Sequence, residues 1–298
     1  MDACSASGEP GSQRSPRRVQ PHKHANGAGD LVGHATVPPR SARLDDMIVS
    51  RLVELQAVIF DMDGVVVDTA GLHAAAWAEL FDAAFASPAL RQLTADPFDP
   101  AVEYRRYVDG RRREDGVRAV LAARGLQLPE GEPADPPDRL SVWGLANRKN
   151  VLFRSRLARD GARALPGAGA LLRALHERRC RTGLVTASRN AEQVLSAAGL
   201  TGLFETQLDG RDADVLGLPG KPSPATFVEA ARRLGVAPEH AAVVEDAFAG
   251  VVAGRAGGFG LVIGVGSGAH ADDLLRTGAD AVVADLGVLL LSLPEPVR

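Results

Sequence analysis

The chain is short of cysteine. Cys4 and Cys180 are the only two among 298 residues, and Cys4 falls in a stretch without apolar periodicity. A structural disulfide is not expected, and a reducing, cytoplasmic setting is the default. Long apolar runs are missing as well. None approaches the roughly 20 residues of a membrane span, and the N-terminus has no apolar signal-peptide core. No membrane role is expected. There is also no strong excess of charge: the formal net value is −3. That argues against a nucleic-acid binder relying on general basicity. No internal repeat is visible.

The least expected shortage is of lysine. Of 34 basic residues only three are lysines, Lys23, Lys149 and Lys221, so 31 are arginines. Arginine is the default cation of this chain. A retained lysine therefore invites a reason, because its compact ammonium is a point charge that a planar guanidinium cannot copy.

What is present is the composition of a globular protein, 45% hydrophobic and 24% charged, long enough for a sizeable core. Residues 1–45 are the exception. They hold many Gly, Ser, Pro, Ala, Arg and His residues and are read as a disordered extension.

The chain is organised around one stretch. The apolar run from Ala57 to Phe60 reads as a buried parallel strand. It ends in Asp61 and Asp63, followed by Gly64. Strand alternation lets both carboxylates face one point at the strand's carboxyl end, where open α/β sheets bind ligands. Two such groups repel unless a cation or a shared proton intervenes, and oxygen ligands of this kind suit Mg²⁺.

Downstream, helical spacing runs over 71–86, 117–124 and 141–159, with a proline-rich loop over 125–137. From Pro166 onward strands and helices alternate. Strands are read at 181–186, 204–208, 241–245, 261–265 and 281–284. Helices are read at 167–178, 191–198, 224–234 and 247–254. This alternation implies a doubly wound parallel sheet. Three more strand ends carry polar residues. One is Thr186-Ala187-Ser188-Arg189-Asn190, whose hydroxyls and amides at a helix start can take an anion. Another is Gly220-Lys221-Pro222, and the last is the pair Glu245-Asp246. Singly, each has a commonplace explanation in a polar turn, a helix cap or a surface lysine.

Together, in this order and spacing, the segments resemble the four motifs of the haloacid-dehalogenase-like (HAD) phosphotransferases. Over about residues 55–290 the chain is similar to the β-phosphoglucomutase-like branch of that superfamily. The resemblance implies an α/β, doubly wound, Rossmann-like core over 46–71 and 163–298, with an inserted α-helical cap over 72–162. It implies one Mg²⁺ held by Asp61, the Asp63 carbonyl, Glu245 and Asp246. Asp61 would be the nucleophile and Asp63 the general acid/base. Thr186 and Lys221 would hold the phosphoryl oxygens.

In the insert, Thr69-Ala70-Gly71-Leu72-His73 through Trp77 resembles that family's hinge. There Thr69 and His73 would link cap closure to placement of the acid/base. Arg113, within a run that also holds Arg111 and Arg112, falls where the family grips the substrate's second phosphate. Asn147-Arg148-Lys149-Asn150 resembles a segment that places a substrate-binding lysine. Gly64, Trp77, Gly110, Ala187, Ser188, Arg189 and Asn190 complete the expected substrate contacts. Arg111 and Arg112 add more charge than the family pattern, and the 125–137 loop looks long.

The implied activity interconverts β-D-glucose 1-phosphate and glucose 6-phosphate through glucose 1,6-bisphosphate. Two alternatives share the motifs: a phosphatase of a small sugar or polyol phosphate, and a non-catalytic sugar-phosphate binder. The expected partner is a small sugar phosphate, and a monomer is expected.

Overall fold

The computed structural model describes residues 46–94 and 96–293. The expected extension over 1–45 lies outside the described residues. Helix α1 (Asp46–Glu54) precedes β1 (Ala57–Asp61). The insert follows with α2 (Ala70–Phe85), a π-helical turn (Tyr104–Val108), α3 (Arg113–Ala123) and α4 (Val142–Asp160). Then come α5 (Ala168–Glu177), β2 (Arg181–Val185), α6 (Ala191–Ala197), β3 (Thr206–Leu208), α7 (Gly210–Val215) and α8 (Ala225–Leu234). The chain continues through β4 (Ala241–Glu245), α9 (Phe248–Ala256), β5 (Leu261–Val265), α10 (Gly268–Thr277), β6 (Ala281–Val283) and α11 (Leu286–Ser292).

The strands form one parallel sheet in the order β3-β2-β1-β4-β5-β6. The direction of winding reverses beside β1, which makes its carboxyl end the switch point where such sheets bind ligands. Both faces are covered, so β1 is apolar at successive positions rather than at alternate ones. Val58 and Phe60 pack on one side with Leu171, Leu195 and Leu286. Ala57 and Ile59 pack on the other with Phe227, Leu234 and Val251. Asp61 pairs in register with Val185, and Phe60 with Val244. The residues that follow those partners, Thr186 and Glu245, therefore emerge beside Asp61 at one edge.

The insert has its own apolar cluster, with Trp77, Leu80, Phe81, Phe98, Val117 and Leu145 at its centre. Phe81 lies at its middle, its ring centroid 5.4 Å from those of Trp77 and Phe85 and 5.1 Å from that of Phe98. The segments leading into and out of the insert run side by side: the Asp68 amide donates to the Arg163 carbonyl at 2.8 Å, and Val67 bridges Ala164.

Four helices escape the periodicity reading: α1, α7, α10 and α11. Three of them give a physical reason. In α7 only a six-residue turn forms, set by a capping box between Asp209 and Asp212. In α10 a single residue, Leu274, is buried. In α11 the apolar run is unbroken, so period 3.6 cannot be seen, and Asp285 caps it. Thr69 stands immediately before α2, but its side chain makes no cap hydrogen bond. Its hydroxyl is used elsewhere. Among the described residues no helix is long and apolar enough to cross a membrane.

Phe227 is fully buried and its ring meets Phe259 edge-on at 6.1 Å. Phe227→Ala should cost about 3–5 kcal/mol, while Val215→Ala, at a site 87% exposed, should fall within about 0.5 kcal/mol of the parent. Denaturant unfolding checks both.

Candidate active site

Asp61 is the last residue of β1 and is buried. A buried carboxylate needs a partner, and it has Lys221, whose Nζ donates to Asp61 Oδ1 and to Glu245 Oε1, each at 2.5 Å. Glu245 turns its other oxygen to the Ala247 amide, at 2.8 Å. A Cβ on Gly250 would collide with the Glu245 carboxylate, so the first turn of α9 must carry glycine there. Burial pulls the Lys221 ammonium down, but Asp61 and Glu245 outweigh it and hold the group above its ordinary value. Burial, assisted by Glu245 and Asp63, raises Asp61 against the opposing pull of Lys221. One ammonium does not neutralise the cluster.

Asp246 adds a third carboxylate. One oxygen each from Asp61, Glu245 and Asp246 lies within 4.8 Å of the others. Burial raises Asp246, and Asp109 and Glu245 raise it further. Gly64, with φ +84°, takes a backbone conformation suited to glycine, and a Cβ there would strike the Asp246 carboxylate. Gly64 thus makes room for this acid. Three crowded oxygen donors with one lysine between them fit a hard divalent cation such as Mg²⁺.

Asp63 sits in the turn beyond β1. Its Oδ1 accepts from the Thr69 hydroxyl at 2.5 Å and pairs with His73 Nε2 at 3.1 Å. Its Oδ2 accepts from the Thr186 hydroxyl at 3.1 Å. Burial alone would raise this carboxyl, but His73, Thr69 and Thr186 hold it at about 2. The chain of contacts continues outward. Lys149 Nζ, on α4, lies 2.5 Å from His73 Nδ1. With Lys149 donating to Nδ1, Nε2–H is directed at Asp63. Burial and then Lys149 lower His73. The Phe153 ring stacks on His73 at 4.1 Å. Lys149 itself lies over the rings of Trp77 and Phe153, at 5.2 and 5.0 Å. Burial, and then Arg113, bring it down to about 7.

A cavity joins these groups. Asp61, Asp63, Thr186 and Asp246 line its floor, and His73, Trp77, Gly110, Arg113 and Lys149 its roof. Ala187, Ser188 and Asn190 line its side. Asn190 Nδ2 donates to Asn150 Oδ1 of α4 at 2.9 Å, tying that side to the insert. Arg113 donates to the Ala146 carbonyl at 3.3 Å, and burial with Arg189 lowers it to about 10.

Five expected site residues do not line the cavity. Thr69, Glu245 and Lys221 stand directly behind those that do, and Gly64 lies against the Asp246 carboxylate. The fifth, Arg189, is turned aside: it pairs with Asp214 of α7 at 2.6 Å, and its guanidinium lies 5.8 Å from the centre of the Trp143 ring. The arginine run divides as well. Arg111 and Arg113 face the cavity, whereas Arg112 pairs with Asp214 at 3.5 Å and donates to the Leu218 carbonyl.

Sequence reasoning passed over Tyr104, Asp109, Asn150 and Phe153, all of which line the cavity. Asp109 and Asn150 adjoin Gly110 and Lys149, and that adjacency was the available signal. Tyr104 and Phe153 carried none, being ordinary aromatic residues of helical segments.

A switch-point cluster of carboxylates around a buried lysine, under a roof of cationic side chains, defines an enzyme that works on phosphate esters. Residues 55–258 match the family model described as haloacid dehalogenase-like hydrolase, and the chain belongs to that family. A β-phosphoglucomutase of Mycobacterium bovis is 44% identical over 243 residues, 80% of this chain and 92% of that one. A fructose-1-phosphate phosphatase of Escherichia coli is 29% identical over 213 residues, 69% of this chain and 94% of that one. Among solved structures, a β-phosphoglucomutase from Clostridium difficile superposes with a TM-score of 0.62 at 26% identity, covering 79% of this chain and 93% of that one. The chain is thus a phosphatase or phosphotransferase of the HAD family, whose members generally use Mg²⁺.

Lys221→Met should leave Asp61 and Glu245 buried without their cation and cost about 3–5 kcal/mol at pH 7. Asp61, raised by burial even with the lysine present, then has a folded pKa above its unfolded one, so the folded state takes up a proton and the deficit should shrink between pH 7 and 5. Denaturant melts across that range, with and without Mg²⁺, check the sign. A deficit that grows on acidification would exclude this account.

Proposed function

We propose that this enzyme is a β-phosphoglucomutase, interconverting β-D-glucose 1-phosphate and glucose 6-phosphate through glucose 1,6-bisphosphate. The observation that carries the reading is the contact chain Asp63–His73–Lys149. It makes the placement of the acid/base depend on the helices of the insert. We also take 72–162 as a cap that closes over a core made of 46–71 and 163–298.

In this mechanism Asp61 carries the phosphoryl group as an aspartyl-phosphate. The substrate binds with its existing phosphate under Arg113 and Lys149, beside Ser188 and Asn190. Its free hydroxyl attacks the phosphorus, the bond to Asp61 breaks, and Asp63 takes the hydroxyl proton. Asp63 starts as a base, in keeping with its carboxyl being held at about 2. The bisphosphate then turns end for end. Asp61 attacks the other phosphoryl group, and Asp63 returns the same proton to the departing sugar oxygen. No proton is exchanged with solvent over the cycle. Thr186 faces the phosphoryl oxygens, and Lys221, behind Asp61, limits repulsion between Asp61 and the incoming dianion. Asp61, the Asp63 carbonyl, Glu245 and Asp246 would hold one Mg²⁺, which supplies charge neutralisation at the transferring phosphoryl group.

The cationic roof separates transfer to sugar from transfer to water. Binding energy from the second phosphate favours closure, and closure excludes water from the aspartyl-phosphate. The second reading, a sugar phosphatase, is favoured by the phosphatase relative and keeps the same floor with a looser roof. A purely binding role needs the whole acid–lysine cluster to be idle.

With Mg²⁺, β-glucose 1-phosphate and a trace of glucose 1,6-bisphosphate, glucose 6-phosphate should form with little free phosphate. Asp61→Asn should remove turnover by at least about 10³-fold. Free phosphate without glucose 6-phosphate would replace the mutase with a phosphatase. A pH effect follows from Lys149. It is held to about 7 in the empty site, and a bound phosphate dianion stabilises its charged form, so the pKa rises. At pH 8 glucose 6-phosphate should bind with proton uptake, seen as a calorimetric heat that varies with buffer ionisation enthalpy. Lys149→Met should remove that dependence.

A further inference from the structure

One group facing the cavity has no part in the mechanism above. Asp109 lies at the end of the π-helical turn, before Gly110, and faces the cavity. A carboxyl group in a chamber for phosphate dianions is a liability unless it does something. It does not belong to the cluster of Asp61, Glu245 and Asp246 that can share a cation. Nor is it the acid/base, since Asp63 is the carboxylate bound to the Thr69–His73 pair.

Its position is fixed rather than loose. The Asp109 amide donates to the Tyr104 carbonyl at 3.0 Å, and Tyr104, itself buried, lines the same cavity. Gly110 has φ +68°, and a Cβ there would come within 2.9 Å of the Ala247 Cβ. The insert loop is thus pressed against the loop that follows β4, which sets the height of Asp109 over the catalytic floor. The cavity it faces has the carboxylates of Asp61, Asp63 and Asp246 on one side and Arg111, Arg113 and Lys149 on the other. A carboxyl has several acceptor positions to offer a ligand there.

We infer that Asp109 is a specificity-determining residue that accepts a hydrogen bond from a hydroxyl of the substrate, near the phosphoryl group being transferred. Such a group selects polyhydroxylated phosphate esters. A sugar phosphate satisfies the carboxyl when the loop seats. An ester without hydroxyls leaves it desolvated beside a dianion, an arrangement that sites built for hydrogen bonding reject strongly. The inference rests on the sugar-phosphate reading above, but it concerns recognition and not the fate of the phosphoryl group.

The test compares two substrates within each variant of the full-length enzyme with Mg²⁺: β-glucose 1-phosphate, read as total turnover to glucose 6-phosphate and phosphate, and p-nitrophenyl phosphate, which has no sugar hydroxyl. In Asp109→Ala the ratio of kcat/KM for the sugar to that for the phenyl ester should fall about 10- to 100-fold. The phenyl ester itself should be handled within about threefold of the parent. Asp109→Asn, close in shape, guards against a folding defect and should also lower the ratio. An unchanged ratio overturns the inference, and so does an equal loss on both substrates, which would place Asp109 in support of the metal cluster or the fold. The mutase reading fails separately, if the parent enzyme turns sugar phosphate into free phosphate alone. The ratio remains readable in that case.

Discussion

The buried contact of Lys221 with Asp61 and Glu245 is the constraint on which the rest of the site depends. Two carboxylates brought out of water by adjacent parallel strands would repel each other and resist desolvation. The lysine arrives from the loop before α8, far away in sequence, and bridges them at 2.5 Å each. It leaves the cluster net negative, so the same contact that permits folding keeps an affinity for a further cation. Arginine could not fill this position in the same way, because its planar fork spreads charge over a wider front than two converging oxygens offer. This accounts for one lysine in a chain that otherwise prefers arginine.

The second buried lysine solves a different problem. Lys149 has aromatic faces around it and an imidazole in front, with no carboxylate within hydrogen-bond reach to hold its charge. Its ammonium is correspondingly easy to discharge. One lysine is thus held firmly charged and the other near neutrality, and the difference comes from their neighbours. The floor of the site has its lysine committed and still lacks a cation, whereas the roof is waiting for an anion.

Much of this was legible in the sequence because it depends on local rules. β1 is buried on both faces, so its apolar run stops where the chemistry starts, and Asp61 and Asp63 mark that point. Glycine at 64 and 110 follows from close backbone approach. Lys149 and Lys221 stood out against 31 arginines. Among the helices that were missed, α10 buries Leu274 alone, so its burial shows no 3.6-residue repeat. Thr69 precedes a helix, where hydroxyls commonly accept a backbone amide, but only its donation to the half-buried Asp63 carboxylate is made.

The sequence by itself determined the parallel sheet, the four polar strand ends and the family, since strand periodicity and motif spacing are properties of neighbours along the chain. Tertiary structure alone decided which side chains share a space. Among three consecutive arginines it turned Arg112 out to Asp214 and Arg111 and Arg113 in to the cavity. It also withdrew Arg189 to the same Asp214, and it set Asp109 over the catalytic floor beside Tyr104. These outcomes depend on where α7 and the π-helical turn come to rest against the sheet. Such packing is settled by contacts between residues distant in the chain, and no local pattern records it.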